Sequence, residues 1–316
     1  MTGEHFFRAV SGRLKTGSVV LATVRDVRGS TPRYAGAQMA CGEDWCLGTI
    51  GGGQAEARVV EAARQMKKVN GPKEVVIDLR GTCEEPRDGI CGGTMKVRLD
   101  LLAPAALESI EEALGALQIG QSVQQQFPDN QSWSLQVVGT NRLISETADP
   151  FYILPDAMLL IIGGGHCGLA LARAAHPLGF QIVIQDDRPM TDGNDLLAEG
   201  CIKCCESVAA TLMRQQSDRQ LYAAIVSRSY EHDVAALEAL ATVKSQYIGL
   251  MGSKRRVVQV LEVLKGRGIR RDFLDRIDSP IGLGIGAETP EEIAISICAR
   301  LIEVRQRLNS VPSHSG

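Results

Sequence analysis

The sequence predicts an α/β protein in two parts, with an N-terminal α+β domain ahead of a C-terminal doubly wound parallel sheet. Three observations carry this. From residue 157 onward, short apolar runs alternate with helix-length amphipathic stretches, as parallel sheets require. The run Ala157-Met158-Leu159-Leu160-Ile161-Ile162 leads directly into Gly163-Gly164-Gly165-His166-Cys167-Gly168 and then into the helix-like Leu169-Ala170-Leu171-Ala172-Arg173-Ala174-Ala175. A strand, a G-x-G-x-x-G turn and a helix in that order aim backbone N–H groups and a helix N-terminus at a pyrophosphate. Some twenty residues on, Ile182-Val183-Ile184 ends in Gln185-Asp186-Asp187, where a ribose-binding acid is expected. Together these make a Rossmann-like βαβ unit.

Taken in order, residues 4–16 have the pattern of a short opening helix. Ser18–Val24 is strand-like and leads to the Gly/Pro-rich loop Arg28-Gly29-Ser30-Thr31-Pro32-Arg33-Tyr34-Ala35-Gly36. Short strands are expected near 37–41 and 45–50. The loop Gly51-Gly52-Gly53 then opens a helix from Gln54 to Lys68, with Ala57, Val60, Ala63 and Met66 or Lys67 at helical spacing. Residues 74–79 and 95–101 alternate as strands around an irregular loop, 80–94, that carries Cys83 and Cys91. A helix near 104–117 precedes a polar stretch, 118–156, with only short strand candidates. The domain boundary is expected within 146–156, giving domains 1–150 and 151–316. The C-terminal strands are predicted at 158–162, 180–185, 201–203, 221–226 and 246–250. The helices between them are predicted at 166–178, 207–216, 232–242, 253–265 and 290–308.

Composition narrows the function. The 316 residues are long enough for two cores, and 44% are apolar and 22% charged. A net charge of -3 and 4% aromatic residues give neither the basic footprint nor the stacking platforms of a nucleic-acid binder. There is no apolar run of about 18 residues to span a membrane. The N-terminus lacks the basic start and apolar core of a signal peptide. Nine cysteines, odd in number and unevenly spaced, suggest reduced thiols in a cytoplasmic protein.

Several constellations could carry chemistry. Gly249-Leu250-Met251-Gly252-Ser253-Lys254-Arg255-Arg256 places an N-cap serine before a helix whose first turn holds three cations. The helix macrodipole disfavours them there by roughly 0.3–1 kcal/mol each. Either solvent and carboxylates neutralise them, or an anion sits among them. Thr289-Pro290-Glu291-Glu292 is a capping box, and the preceding Gly282, Gly284 and Gly286 let a backbone approach something closely. Cys91, flanked in Gly89-Ile90-Cys91-Gly92-Gly93, is the candidate functional thiol. The C-x-x-C of Cys201 and Cys204 has no second pair at zinc spacing, and Cys41, Cys46, Cys167 and Cys298 are expected as small core residues. His166 either touches a ligand phosphate or caps the turn. No catalytic acid–base pair is evident.

In this order the blocks resemble the XdhC/CoxI family, the xanthine dehydrogenase accessory factors. The N-terminal blocks are Gly29-Ser30-Thr31-Pro32-Arg33, Gly48-Thr49-Ile50-Gly51-Gly52-Gly53 with Glu56, and Cys91-Gly92-Gly93. The C-terminal blocks are Ile162-Gly163-Gly164-Gly165-His166 with Asp186-Asp187-Arg188-Pro189, then Tyr247 to Arg256, then Ser279 to Leu283 through Ala287 to Ala294. The stretch 226–233 departs from the Thr-His or Arg-Gly-His pattern of such proteins, and Gly284 stands where an acid is usual.

The resemblance implies a chaperone, without turnover of its own, that binds molybdenum cofactor as molybdopterin or its cytosine dinucleotide. It would hold the cofactor while a cysteine desulfurase supplies the sulfido ligand, then insert it into a molybdenum hydroxylase such as xanthine dehydrogenase or aldehyde oxidoreductase. A molybdenum cofactor cytidylyltransferase is a further partner, and a homodimer is expected. The implied cofactor-binding residues are Gly29, Ser30, Pro32, Arg33, Gly51, Gly52, Gly53, Glu56 and Cys91 in the first domain. In the second they are Gly163, Gly164, Gly165, His166, Gly168, Asp186, Asp187, Arg188, Ser253, Lys254, Arg255 and Arg256. A polyanion suits glycine loops, helix N-termini and cations, and a soft Cys91 thiolate suits molybdenum or sulfur. The competing class is an NAD(P)-dependent oxidoreductase, and a third is a nucleotidyltransferase, whose Mg²⁺-binding acidic pair is not found.

Overall fold

The structure is a computed structural model that describes residues 3–66, 71–82, 87–128, 133–138, 151–188, 200–215, 217 and 219–309. The chain divides into two compact units, Met1–Pro155 and Asp156–Gly316. Cys83 and Pro189 lie outside the described residues, as does the first part, 146–150, of the boundary segment expected at 146–156.

In the first unit, α1 (Gly3–Leu14) is followed by β1 (Val19–Arg28), β2 (Gln38–Cys41), β3 (Cys46–Gly48), α2 (Gly53–Met66), β4 (Lys73–Asp78) and β5 (Thr94–Leu102). The strands form one antiparallel sheet in the order β3-β2-β1-β5-β4. A single helical turn at Pro104–Ala106 leads into α3 (Leu107–Gln118). Beyond it, β6 (Ser122–Gln126), β7 (Ser134–Val138) and β8 (Tyr152–Ile153) make a three-stranded sheet in the order β7-β6-β8. Strand alternation sends Leu21 and Ala40 to a core under α1 and α3, and Val20, Ala22, Met39 and Cys41 to a second core under α2. The buried stripe of α2 is Ala55, Val59, Ala63 and Met66. Ala63 and Met66 are buried as expected, but the first half of the expected stripe is not: Ala57 is exposed and Val60 only half-buried. Small residues on both faces of this helix leave periodicity unable to choose between two alanine-valine stripes, and packing on the sheet decides.

The second unit carries β9 (Ala157–Ile162), α4 (His166–Ala175), β10 (Phe180–Gln185), β11 (Ile202–Cys204), α5 (Val208–Arg214), β12 (Leu221–Ile225), α6 (Tyr230–Leu240), β13 (Tyr247–Leu250) and α7 (Lys254–Gly266). It ends with α8 (Arg271–Leu274), β14 (Ile277–Asp278) and α9 (Pro290–Asn309). All six strands pair in parallel in the order β11-β10-β9-β12-β13-β14. Along β9, Met158, Leu160 and Ile162 pack beneath α5, α6 and α7, while Leu159 and Ile161 pack beneath α4 and α9. The sheet is therefore covered on both faces, as the continuous apolar strands require. The order reverses between β10-β9 and β12, which is the Rossmann switch point where open α/β sheets bind ligands beyond their carboxyl ends.

The capping box forms as expected. The Glu292 N–H donates to Thr289 Oγ1 at 3.3 Å, and Glu292 Oε2 accepts from the Glu288 and Thr289 N–H groups at 2.9 and 3.1 Å. Of the three glycines expected to admit a close approach, Gly282 has one: a Cβ there would lie 2.4 Å from Ser296 Oγ on α9. A Cβ on Gly284 or Gly286 would meet nothing within 4 Å. Strand β14 and helix α8 have no counterpart among the elements expected from the sequence. Two and four residues are too few to establish a period.

Candidate functional site in each unit

At the switch point the three fingerprint glycines have three separate jobs. Gly163 turns the chain at φ 114°, where a Cβ would lie 3.0 Å from the Ser227 backbone. Gly168 lets α4 settle on the loop, since a Cβ there would come within 1.9 Å of Gly163 O. Gly165 is the N-cap of α4, and a Cβ on it would meet nothing within 4 Å. The first two serve packing, and the third faces open space. The first helical bond donated into this turn runs from the Leu169 N–H to Gly165 O at 2.9 Å. The N–H groups of His166, Cys167 and Gly168 thus keep the orphan donor character of a helix start, and no N-cap side chain shields them.

These residues border a cleft of about 460 Å³, lined by Gly163, Gly165, His166, Asp186, Asp187 and Arg188 and, from the far side of the switch point, Ser227, Arg228, Ser229, His232 and Met251. Cys167 also lines it and is half-buried, packed against the edge of the core under α4 and α9 rather than inside it. Cys46, also expected in the core, is exposed at the sheet edge. Ser227, Ser229 and His232 are not among the binding residues expected from the sequence. Their signal was their place directly after β12, across the sheet reversal from the glycine loop.

Asp186 is buried at the end of β10 and already has four hydrogen bonds. One oxygen accepts from the Gly164 N–H at 2.7 Å and Arg188 Nη2 at 2.8 Å; the other accepts from the Arg188 N–H at 3.1 Å and Nε at 2.9 Å. The Arg188 guanidinium, helped by the Gly164 N–H, pulls the carboxyl down to about 2 against the cost of burial. As it stands, Asp186 fastens the glycine loop, and a ribose hydroxyl would reach it only by displacing Arg188, whose side chain is 72% exposed. Asp187 lies 3.2 Å from His232 Nε2 across the cleft.

The cation cluster separates into two kinds. Arg256 is spent inside the protein, donating from Nε to the fully buried Asp233 at 2.8 Å and from Nη2 to Ser229 O at 2.8 Å. Burial pushes the Asp233 carboxyl up, while Ser227 Oγ, donating at 2.8 Å, and Arg256 hold it back. Ser253 caps α7 by accepting from the Arg256 N–H at 3.4 Å. Lys254 and Arg255 are exposed, and neither is in an ion pair among the described residues.

The first unit gathers three glycine loops. A Cβ on Gly51 would lie 2.5 Å from Pro32 Cγ, and one on Gly93 would lie 2.4 Å from Ser30 O and 2.8 Å from Thr31 Cγ2. A Cβ on Gly29 would reach Gly92 O at 3.1 Å. The 29–33 loop therefore touches both the 51–53 loop and the Cys91 loop, joining segments some forty residues apart in sequence. Gly52 and Gly53, at φ 78° and 66°, face open space at the start of α2. Glu56 holds this loop from within: Oε2 accepts from Thr49 Oγ1 at 2.5 Å and from the Ile50 and Gly52 N–H groups at 3.2 and 3.1 Å. The Cys91 loop is tied to β4 by Gly92 N–H to Leu79 O at 2.8 Å and Leu79 N–H to Gly93 O at 2.9 Å. Asp88 braces it, accepting from the Asp78 N–H at 2.8 Å. Cys91 is a free, exposed thiol, and Ser30, Pro32 and Arg33 are exposed as well. No group of three or more His, Cys, Asp or Glu able to hold a metal occurs among the described residues. No helix among them is long and apolar enough to cross a membrane.

Comparison with known proteins agrees with this construction. Residues 159–301 match the XdhC Rossmann domain, and residues 14–78 match the XdhC and CoxI family. The chain is 25% identical over 299 residues to an uncharacterized Escherichia coli protein, YqeB; the match covers 93% of this chain but only 46% of that protein. It is 27% identical to a probable xanthine dehydrogenase subunit from Bacillus subtilis, covering 92% of this chain and 94% of the relative. It is 26% identical to the molybdenum cofactor insertion chaperone PaoD of Escherichia coli, covering 94% and 86%. A Bacillus halodurans protein described as a xanthine dehydrogenase superimposes with a TM-score of 0.77 at 25% identity, over 100% of this chain and 98% of that one. With both units matched, and with a parallel sheet carrying its glycine loop at the switch point, the chain belongs to the XdhC and CoxI family.

Proposed function

We propose that this protein is a molybdenum cofactor chaperone, which binds the pterin cofactor and inserts it into a molybdenum hydroxylase. The observation that carries the reading is the switch-point cleft, where Gly165 leaves space for a ligand beside the undonated N–H groups of α4. The names of the B. subtilis and PaoD relatives support the same role.

The residues fit an anionic pterin. The start of α4, with Gly163, Gly164, Gly165, His166 and Gly168, would take a phosphate or pyrophosphate, and Lys254 and Arg255 would add charge. Asp187 and Arg188 would meet the polar part of a nucleotide, whereas Asp186 and Arg256 shape the loops around it. In the first unit, Gly52 and Gly53 with the start of α2 offer a second anion cradle, supported by Gly29, Ser30, Pro32, Arg33 and Gly51 and braced by Glu56. Cys91 is the ligand for molybdenum or passing sulfur. When bound, the cofactor supplies the redox chemistry of the client enzyme; this chain binds, shields and releases it. A cysteine desulfurase and a cytidylyltransferase are its proposed partners, in a cytoplasmic homodimer.

The test is to purify the protein from a molybdate-replete host and identify what is released on denaturation. A pterin, with or without cytidine monophosphate, is expected. Release of NAD(P) would overturn the reading in favour of an oxidoreductase. Cys91→Ala should lower cofactor retention at least tenfold, and undiminished retention would remove Cys91 from the site.

A further inference from the structure

Cys41 and Cys46 have no part in the cofactor site, yet the fold sets them face to face. Strands β2 and β3 form a hairpin with a two-residue turn, Glu43-Asp44, closed by the Gly42 N–H donating to Trp45 O at 2.9 Å. Ladder bonds alternate along an antiparallel pair, so the next residues, Cys41 and Cys46, are direct partners at a non-hydrogen-bonded position. Opposed Cα atoms at such positions are about 4.5 Å apart, within the span a disulfide bridges. The Cys46 thiol donates to Cys41 Sγ at 3.5 Å. A bond of about 2.05 Å needs only a further approach of roughly 1.5 Å, within reach of side-chain rotation.

The two thiols are unequal. Cys46 is exposed on the edge strand, and Cys41 is buried beneath α2. Burial, the neighbouring thiol and Glu56 push Cys41 up to about 12. A solvent-borne reagent therefore meets Cys46 first, and Cys41 resolves from beneath.

We propose that Cys41 and Cys46 are a redox-active dithiol, oxidised to a cross-strand disulfide by exchange with low-molecular-weight disulfides. The Cys46 thiolate attacks one sulfur of the small disulfide, forming a mixed disulfide and releasing one small thiolate. That thiolate takes the Cys41 proton; Cys41 then attacks Cys46 Sγ, forming the protein disulfide and expelling the second small thiolate. The second small thiolate takes from water the proton that Cys46 gave to it on ionising, so the protein loses two electrons and two protons and the small disulfide becomes two thiols. Strand β3 has three residues and runs straight into Thr49-Ile50-Gly51-Gly52-Gly53, so the new bond fastens the strand from which that glycine loop hangs. The site stands independently of what the loop binds.

The test uses the full chain in mixtures of reduced and oxidised glutathione, quenched with N-ethylmaleimide and mapped without reduction. A Cys41–Cys46 linked peptide is expected to form ahead of any other protein disulfide and to disappear on adding dithiothreitol. Hydrogen exchange at 49–53 should slow severalfold in the oxidised protein. Cys46→Ser, at an exposed position, should leave Cys41 a free thiol throughout. Accumulation of Cys46 as a glutathione mixed disulfide with Cys41 unreacted would overturn the proposal. So would oxidation of Cys41 in the Cys46→Ser protein at the wild-type rate.

Discussion

Two glycines three residues apart make opposite demands on a side chain. A methyl group on Gly168 would stand 1.9 Å from a backbone oxygen, so α4 or the loop must move. A methyl group on Gly165 meets nothing. Gly168→Ala is expected to lose about 1–3 kcal/mol of stability, the usual range for overpacking. Gly165→Ala should unfold within about 1 kcal/mol of the parent, since it gives up only a good N-cap residue. Its cofactor retention should nevertheless fall, because the methyl group occupies the ligand's approach. Urea unfolding alongside retention separates the two, and equal destabilisation by both substitutions would refute this division. The fingerprint's spacing showed in the sequence which residues these were. Which of them faced protein and which faced space did not show, because that depends on how closely α4 settles on the Gly163 carbonyl and Ile161.

At the scale of elements, the start of α7 is strapped to the loop between β12 and α6. Arg256 reaches Asp233 and the carbonyls of residues 227 to 229, so two neighbouring connections are held as one piece beside the cleft. Asp233 is fully buried, and removing one partner of a buried pair leaves the other uncompensated, at a cost of about 3–5 kcal/mol. Asp233→Ala is expected to lose that much in denaturant unfolding, whereas Lys254→Ala, at an exposed and unpaired cation, should change stability by less than about 0.5 kcal/mol. Comparable losses would show that the strap contributes nothing. The run Lys254-Arg255-Arg256 looked uniform in sequence. Only burial of a carboxylate from α6 told the third cation from the first two. The same holds for Glu56 and Asp186, both visible as acids at the right spacing, both engaged with their own loops.

For the whole molecule, the apolar residues sort into cores that stay within one unit. Two lie on either face of the antiparallel sheet, and two on either face of the parallel sheet. A segment carrying its own core can fold alone. Residues 156–316 expressed separately should therefore unfold in one cooperative transition, with the far-ultraviolet spectrum of an α/β protein. A broad, non-cooperative melt would contradict this.

Much of this architecture was already legible in the chain. The alternation of apolar runs with amphipathic stretches determined a parallel α/β unit, the glycine fingerprint determined a strand-turn-helix, and Thr289 to Glu292 determined a helix start, because each signal is local and repeats with its own period. Loops joining residues 29–33, 51–53 and 89–93, and thiols facing each other at 41 and 46, were decided by the tertiary structure. Contacts between segments distant in sequence leave no period behind them. They exist only once sheet register and loop closure have brought the backbones together.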